Sequence, residues 1–249
     1  MVDEAVAVAT NEGRAPFMEH LKELRNRVLY AALSIAGGLG IGMIFGNWFI
    51  EMLKQPARGA KLVTLDLIEP VSVYFKVSLT AGVIIAMPFI IYQIFAFVAP
   101  GLTPKEKRFI FTVIPAITLM FLAGVAFAYY VALPPALGFL YGFNANVAQP
   151  LPSLSNYIDI VSKILLIIGV IFETPFVIIG LARLGVVSPQ WLAAHRKWWI
   201  VLAFVIAAVI GPTPDPVTQT ILAVTMIMLL EIGILLARLV YKKRPQPEY

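Results

Sequence analysis

The sequence predicts an all-α, polytopic membrane protein with six transmembrane helices, the last two short, preceded by an amphipathic helix on the cytoplasmic side. Three observations predict it. Hydrophobic residues make up 60% of the chain and charged residues only 13%, about half the charge of a soluble domain. Long apolar runs alternate with short polar connections containing Pro and Gly, the pattern of repeated membrane crossing. Most of the 19 Lys and Arg residues fall on alternate connections, which sets orientation in a membrane protein.

The chain is read as one domain, residues 1–249: a leader and amphipathic helix (1–27), six spans (28–240) and a tail (241–249). Residues 1–14 are small and acidic, as in a mobile leader. No basic segment followed by an apolar core marks a signal peptide, so the first span is expected to act as its own insertion signal. Phe17, Leu21, Leu24 and Val28 recur at helical spacing, while Glu19 and Glu23 share a different face. This is the pattern of a helix lying on the membrane surface and presenting carboxylates. An ordinary Glu23–Arg27 pair at i,i+4 explains the same residues.

The first span covers residues 28–50 and holds Gly37, Gly38, Gly40 and Gly42, which either admit a neighbouring helix or reflect the tolerance of membrane helices for glycine. Residues 51–70 are too polar for lipid. The second span (71–99) contains Lys76 and Pro88, and the third (109–140) contains Pro115 and Pro134-Pro135. Both exceed what a ~30 Å hydrocarbon core requires, so tilt or kinking is expected, with the prolines as kink sites. The fourth span (157–184) carries Lys163, Glu173 and Pro175, and Lys163 is positioned to pair with Asp159 at i,i+4. Ser188-Pro189 starts a helix. The fifth span (198–210) is too short to cross comfortably, Asp215-Pro216 caps the sixth (217–240), and this last hairpin is expected to thin the bilayer locally.

Six spans bring both termini to one side, which collects Lys and Arg from the leader, the Lys105–Arg108 loop, the Ser188 region and the tail. The other side has Lys54, Arg58 and Lys61. The positive-inside rule therefore places both termini in the cytoplasm.

Several acids need an account. Glu173, near mid-span, is expensive in hydrocarbon, so it either faces a polar cavity or partner or makes a helix-packing hydrogen bond. Glu231 reaches Arg238 only loosely. Thr103-Pro104-Lys105-Glu106 reads as a capping box, yet Glu106 shares the cytoplasmic side with Glu23, and two carboxylates there suit two guanidinium forks. There is no cysteine and there are only two histidines, His20 and His195. Without a metal-ligand, phosphate-loop or nucleophile motif, the residues argue against an enzyme, a cofactor or a bound metal, and nothing suggests nucleic-acid binding. A secondary transporter titrating Glu173 and Glu231, or a membrane-embedded enzyme, are the rival readings. The former predicts inverted repeats, and none is visible between residues 28–140 and 157–240.

The runs FMEHLKELR (17–25), PFIIYQIFAFVAPGLTPKE (88–106), FETP (172–175), PTPDPVTQ (212–219) and EIG (231–233) occur in an order that resembles the TatC family, the polytopic core of the twin-arginine protein translocase. The resemblance implies a receptor for folded proteins whose signal peptides carry consecutive arginines, a receptor-read address. It implies that Glu23 and Glu106 contribute to recognising the arginine pair, with Phe97 in the same region. Arg25 and Arg27 would hold the glutamates in position or meet lipid headgroups. It further implies a polar contact from Glu173 to single-span TatA and TatB type subunits, and places Asp215 and Gln219 near the outer end. An oligomeric complex in the prokaryotic inner membrane, driven by the proton-motive force and surrounded by lipid, completes the expectation.

Overall fold

The computed structural model describes the backbone of residues 2–57, 62–101, 103–143 and 151–241, with side chains from residue 18 onward except those of residues 106, 110 and 240. Every long element is a helix. Helix α1 (Val2–Ile44) is followed by α2 (Gly46–Lys54), α3 (Glu69–Val98) and α4 (Pro104–Phe127). A π-helical turn, Ala128–Ala132, leads into α5 (Leu133–Gly142). Then come α6 (Leu154–Ile171), α7 (Thr174–Arg183), α8 (Pro189–Ala194), α9 (Arg196–Ile210) and α10 (Pro216–Val240). Among the described residues, five helical stretches are long and apolar enough to cross a membrane: Met18–Ile44, Glu69–Gly101, Lys107–Gly142, Leu154–Arg183 and Pro216–Leu239. The chain is an all-α polytopic membrane protein.

The N-terminal third departs from the expected division. Leader, amphipathic segment and first span form one continuous helix rather than a mobile arm, a surface helix and a separate span. Nothing between Phe17 and Val28 breaks the run, and the leader is rich in alanine, the best helix former. The first span ends at Ile44 instead of residue 50, because Phe45 leaves helical geometry (φ −103°, ψ 12°) and α2 starts afresh. Helix α2 buries Leu53 and exposes Trp48.

Two interruptions of the long helices have clear backbone causes. Pro134 and Pro135 cannot donate to carbonyls four residues back, and just ahead of them the ladder widens, Leu133 N–H donating to Ala128 O five residues back. Pro175 likewise leaves the Ile171 carbonyl without its backbone donor. The Thr174 hydroxyl takes that place at 2.6 Å, and the fourth span divides at Phe172-Glu173 into α6 and α7.

Packing uses small residues, as expected where lipid is as apolar as the side chains and close approach must supply the attraction. Helices α1 and α3 are in backbone contact: a methyl group on Gly38 would overlap the Gly82 carbonyl, and one on Gly42 the Ser78 carbonyl, whereas Gly37 and Gly40 face open space. The Tyr74 hydroxyl donates to the Met43 carbonyl beside this crossing. Helix α6 lies at the centre, with Tyr157, Ile158, Val161 and Ile168 buried together with Leu133 and Val77. A second core joins Ile178, Ile179 and Ala182 of α7 to Ile234 and Ala237 of α10.

At the end where residues 52–57 and 62–69 meet residues 151–159, the far end, polar bonds join the helices. Tyr157 and Tyr129 hydroxyls donate to the Leu53 and Met52 carbonyls at 2.6 and 2.7 Å. The first N–H groups of α6, which have no partner within a helix, are all satisfied. Leu154 N–H donates to Val63 O at 2.9 Å, Ser155 N–H to the Glu69 carboxylate at 2.6 Å, and Asn156 N–H to Ser153 Oγ at 3.2 Å. Lys76 reaches across from α3 to Asp159 Oδ2 and Ser155 Oγ, both at 2.8 Å. Asp159 thus pairs between helices with Lys76, not with Lys163 of its own helix, which is exposed. The expected shortness of the last two helices is found only in α9, whose 15 residues cover about 22 Å. Helix α10 has 25, because its apolar sequence continues past Glu231 and nothing breaks it before Tyr241.

Candidate recognition surface and the carboxylates within the bundle

At the opposite, near end, the α1 segment expected to present carboxylates lies against the last turns of α3. Residues 20, 23 and 27 share a face of α1, as residues 93 and 97 do on α3, by the i,i+4 rule. The His20 ring stacks on Phe97, centroids 4.4 Å apart and planes 19° from parallel. Arg27 donates to Gln93 Oε1 and to Glu23 Oε1, each at 3.2 Å. Glu23 stands between them, with His20 Nδ1 4.0 Å from its other oxygen. Its side chain is 28% exposed, so the carboxylate is oriented by neighbours yet open to an incoming donor. Around it is a shallow depression lined by Glu19, Lys22, Glu23, Asn26, Arg27 and Tyr30.

The Glu23–Arg27 pair is therefore present, and Arg27 does fix the glutamate's position. Arg25 does something else: it is exposed and donates to Asn26 Oδ1 at 3.4 Å. Glu106 belongs to the first turn of α4, which opens with Lys107 N–H donating to Thr103 O at 2.9 Å. Its side chain lies outside the described residues. The turn at Ala99–Gly101 brings that start of α4 directly after the end of α3, and Arg183 of α7 rests its guanidinium 3.7 Å over the Phe109 ring one turn further on. Gln93 was missed in the sequence. Its signal is a lone amide in an apolar run, four residues before Phe97.

Glu173 stands at the break between α6 and α7, and both its carboxylate oxygens are buried with no hydrogen-bond partner among the described residues. Phe172, beside it, packs against Phe127 at 5.3 Å between centroids. A Cβ on Gly233 would lie 3.0 Å from Pro175 Cα, so α10 passes close to the same break. Chemically, the site is an unsatisfied acceptor inside an apolar bundle.

Asp215 is the N-cap of α10, accepting from Thr218 N–H at 2.7 Å and from the Thr213 hydroxyl. Gln219 donates to Phe204 O of α9 at 3.3 Å. Together they hold the turn of the last hairpin. Glu231 finds Arg196 of α9, at 2.6 and 2.7 Å through both oxygens, and not Arg238. The α9–α10 hairpin returns the start of α9 to the level of Glu231, a pairing that spacing along α10 alone does not reveal.

A family model described as TatC, Sec-independent protein translocase protein, matches residues 19–225. The TatC protein of Aquifex aeolicus is 39% identical over 237 residues, covering 93% of this chain and 98% of its own. That of Desulforapulum autotrophicum is 37% identical over 246 residues, covering 97% and 91%. Two crystal structures of a twin arginine translocase receptor, TatC, superpose with TM-scores of 0.77 and 0.78 at 39% identity, the first covering 89% of this chain and 99% of that one. With its helices, their order and nearly its full length matched, the chain belongs to the TatC family of Sec-independent protein translocase proteins.

Proposed function

We propose that this protein is the signal-peptide receptor and assembly platform of a twin-arginine translocase, six-spanning, in the prokaryotic cytoplasmic membrane with both termini in the cytoplasm. The observation that carries the reading is the Glu23 carboxylate, held by Arg27 and facing solvent beside the His20–Phe97 stack. A guanidinium of the signal docks on Glu23 and the second on Glu106. The planar fork of arginine meets a carboxylate through two bonds, where lysine offers a point charge. Phe97 supplies an apolar wall, and exposed Arg25 meets lipid phosphate or repels misplaced cations. The concentration of Lys and Arg at this end of the bundle supports its cytoplasmic placement.

Glu173 is the contact for a single-span TatA or TatB type subunit. An ionised carboxylate without donors inside the bilayer costs several kcal/mol, and a polar group on an arriving helix offsets that cost only when the complex forms. Asp215 and Gln219 set the outer turn beside the short α9, where the bilayer thins. The protein itself has no catalytic role: it binds, orients and assembles, as one of several copies in the complex, and the proton-motive force drives transport. The test is equilibrium binding of a twin-arginine signal peptide and its twin-lysine version to the purified protein in nanodiscs. Preference for arginine by tenfold or more is expected, and equal binding of the two refutes the receptor reading.

A further inference from the structure

Between α9 and α10 lies a cleft of about 170 Å³ that the recognition surface does not use. Its walls include Thr174, Trp199, Ala203 and Leu230, and Arg196 and Glu231 face each other across its polar rim. The pair is bonded side-on: Arg196 Nε and one Nη meet the two carboxylate oxygens at 2.6 and 2.7 Å. A guanidinium has five N–H donors, so three remain, and the carboxylate keeps its outer lone pairs. Both side chains are partly exposed, at 50% and 36%. The rim therefore offers a fixed positive and a fixed negative group side by side.

Two further features point to a phosphate at the positive side. Among the described residues the Trp199 indole N–H is buried without an acceptor, and helix α9 begins at Arg196 with no side-chain cap, leaving the positive end of its dipole there. Trp191 and Trp199 meet edge to face at 5.8 Å, and tryptophan is enriched at headgroup level.

We propose that this cleft binds one phospholipid with a primary-amine headgroup. Its phosphate lies on Arg196 and the start of α9, its ammonium on Glu231, and the first part of an acyl chain lies between Ala203 and Leu230. A headgroup that is only anionic leaves Glu231 facing like charge. A quaternary ammonium has no N–H to give the carboxylate. The amine-bearing zwitterion matches both members of the pair.

The experiment uses the full chain, delipidated in detergent and exposed to equal amounts of phosphatidylethanolamine, phosphatidylglycerol and phosphatidylcholine with identical acyl chains, with bound lipid counted by native mass spectrometry. Wild type is expected to retain phosphatidylethanolamine about fivefold over each of the others. Glu231→Gln removes that preference, Arg196→Gln lowers retention of all three, and Trp199→Phe, which keeps an aromatic side chain but no N–H, lowers phosphatidylethanolamine retention about threefold. Equal retention of the three lipids by wild type overturns the proposal, as does a preference for phosphatidylglycerol. Should Glu231→Gln fail to fold, the wild-type comparison and Trp199→Phe still decide.

Discussion

Replacing Glu69 with alanine tests whether the far end is held by the bonds described. The Glu69 side chain, in a residue only 7% exposed, accepts from Leu65 N–H and from Ser155 N–H, both at 2.6 Å. Hydrogen bonds to a charged acceptor contribute about 1.5–3 kcal/mol each. Leu65 is 75% exposed, so its N–H turns to water and its share falls below about 1 kcal/mol. Ser155 is the second residue of α6 and has no helical acceptor for its N–H. Losing its acid partner also removes a negative group from the positive end of that helix. The expected local loss is between about one and three powers of ten in the opening equilibrium. Hydrogen exchange followed by mass spectrometry reads this directly. Peptides covering residues 62–66 and 153–157 should exchange 10- to 1,000-fold faster in Glu69→Ala, while residues 176–182 of α7 stay unchanged. Glu69→Gln, which retains one carbonyl acceptor, should fall between. Unaltered exchange around Ser155 in Glu69→Ala would show that the carboxylate does not hold α6 to the 62–69 segment.

Three other substitutions probe separate parts of the fold. Gly42→Leu should destabilise by about 1–3 kcal/mol, since its side chain must displace the Ser78 backbone, whereas Gly40→Leu, facing open space, should leave the thermal midpoint in detergent nearly unchanged. Equal effects would deny that α1 and α3 touch through Gly42. His20→Ala removes the stack on Phe97, about 0.5–1.5 kcal/mol. It should lower the unfolding midpoint slightly and, by releasing the Phe97 wall beside Glu23, weaken signal-peptide binding, and unaffected binding would detach the His20–Phe97 stack from the recognition surface. Asp215→Ala should lower stability by about 0.5–2 kcal/mol as a lost N-cap, and Asp215→Asn should restore most of it. Failure of asparagine to restore stability would mean that the charge, not the cap, matters there.

The five long apolar helices were legible because hydropathy is read over neighbours in the sequence, and so were features confined to one turn of helix. The Glu23–Arg27 pair and the Ser188 and Asp215 caps are of this kind. What the sequence did not reveal depends on which helices become neighbours. Asp159 had Lys163 at the right helical spacing, yet Lys76 of α3 takes it, because α3 and α6 pack side by side at that level. Arg196 and Glu231 meet through a hairpin of 35 residues' separation. The glycines divided the same way: Gly38 and Gly42 lie toward α3 and Gly37 and Gly40 do not, a phase that composition cannot give. At the candidate site, spacing along α1 gave the Glu23–Arg27 pair, but Gln93 and His20 gained partners only once α1 and α3 were seen together.

The most direct test of the account is the affinity of a twin-arginine signal peptide for the Glu23→Gln, Glu106→Gln double variant compared with wild type. Both substitutions preserve side-chain size, remove the charge and leave one carbonyl acceptor in place of two carboxylate oxygens. The account predicts a loss of at least tenfold and the disappearance of any preference for arginine over lysine, with the unfolding midpoint unchanged. Wild-type affinity and selectivity in the double variant would contradict it, leaving Glu23 an ordinary helix ion pair and Glu106 a residue of the first turn of α4.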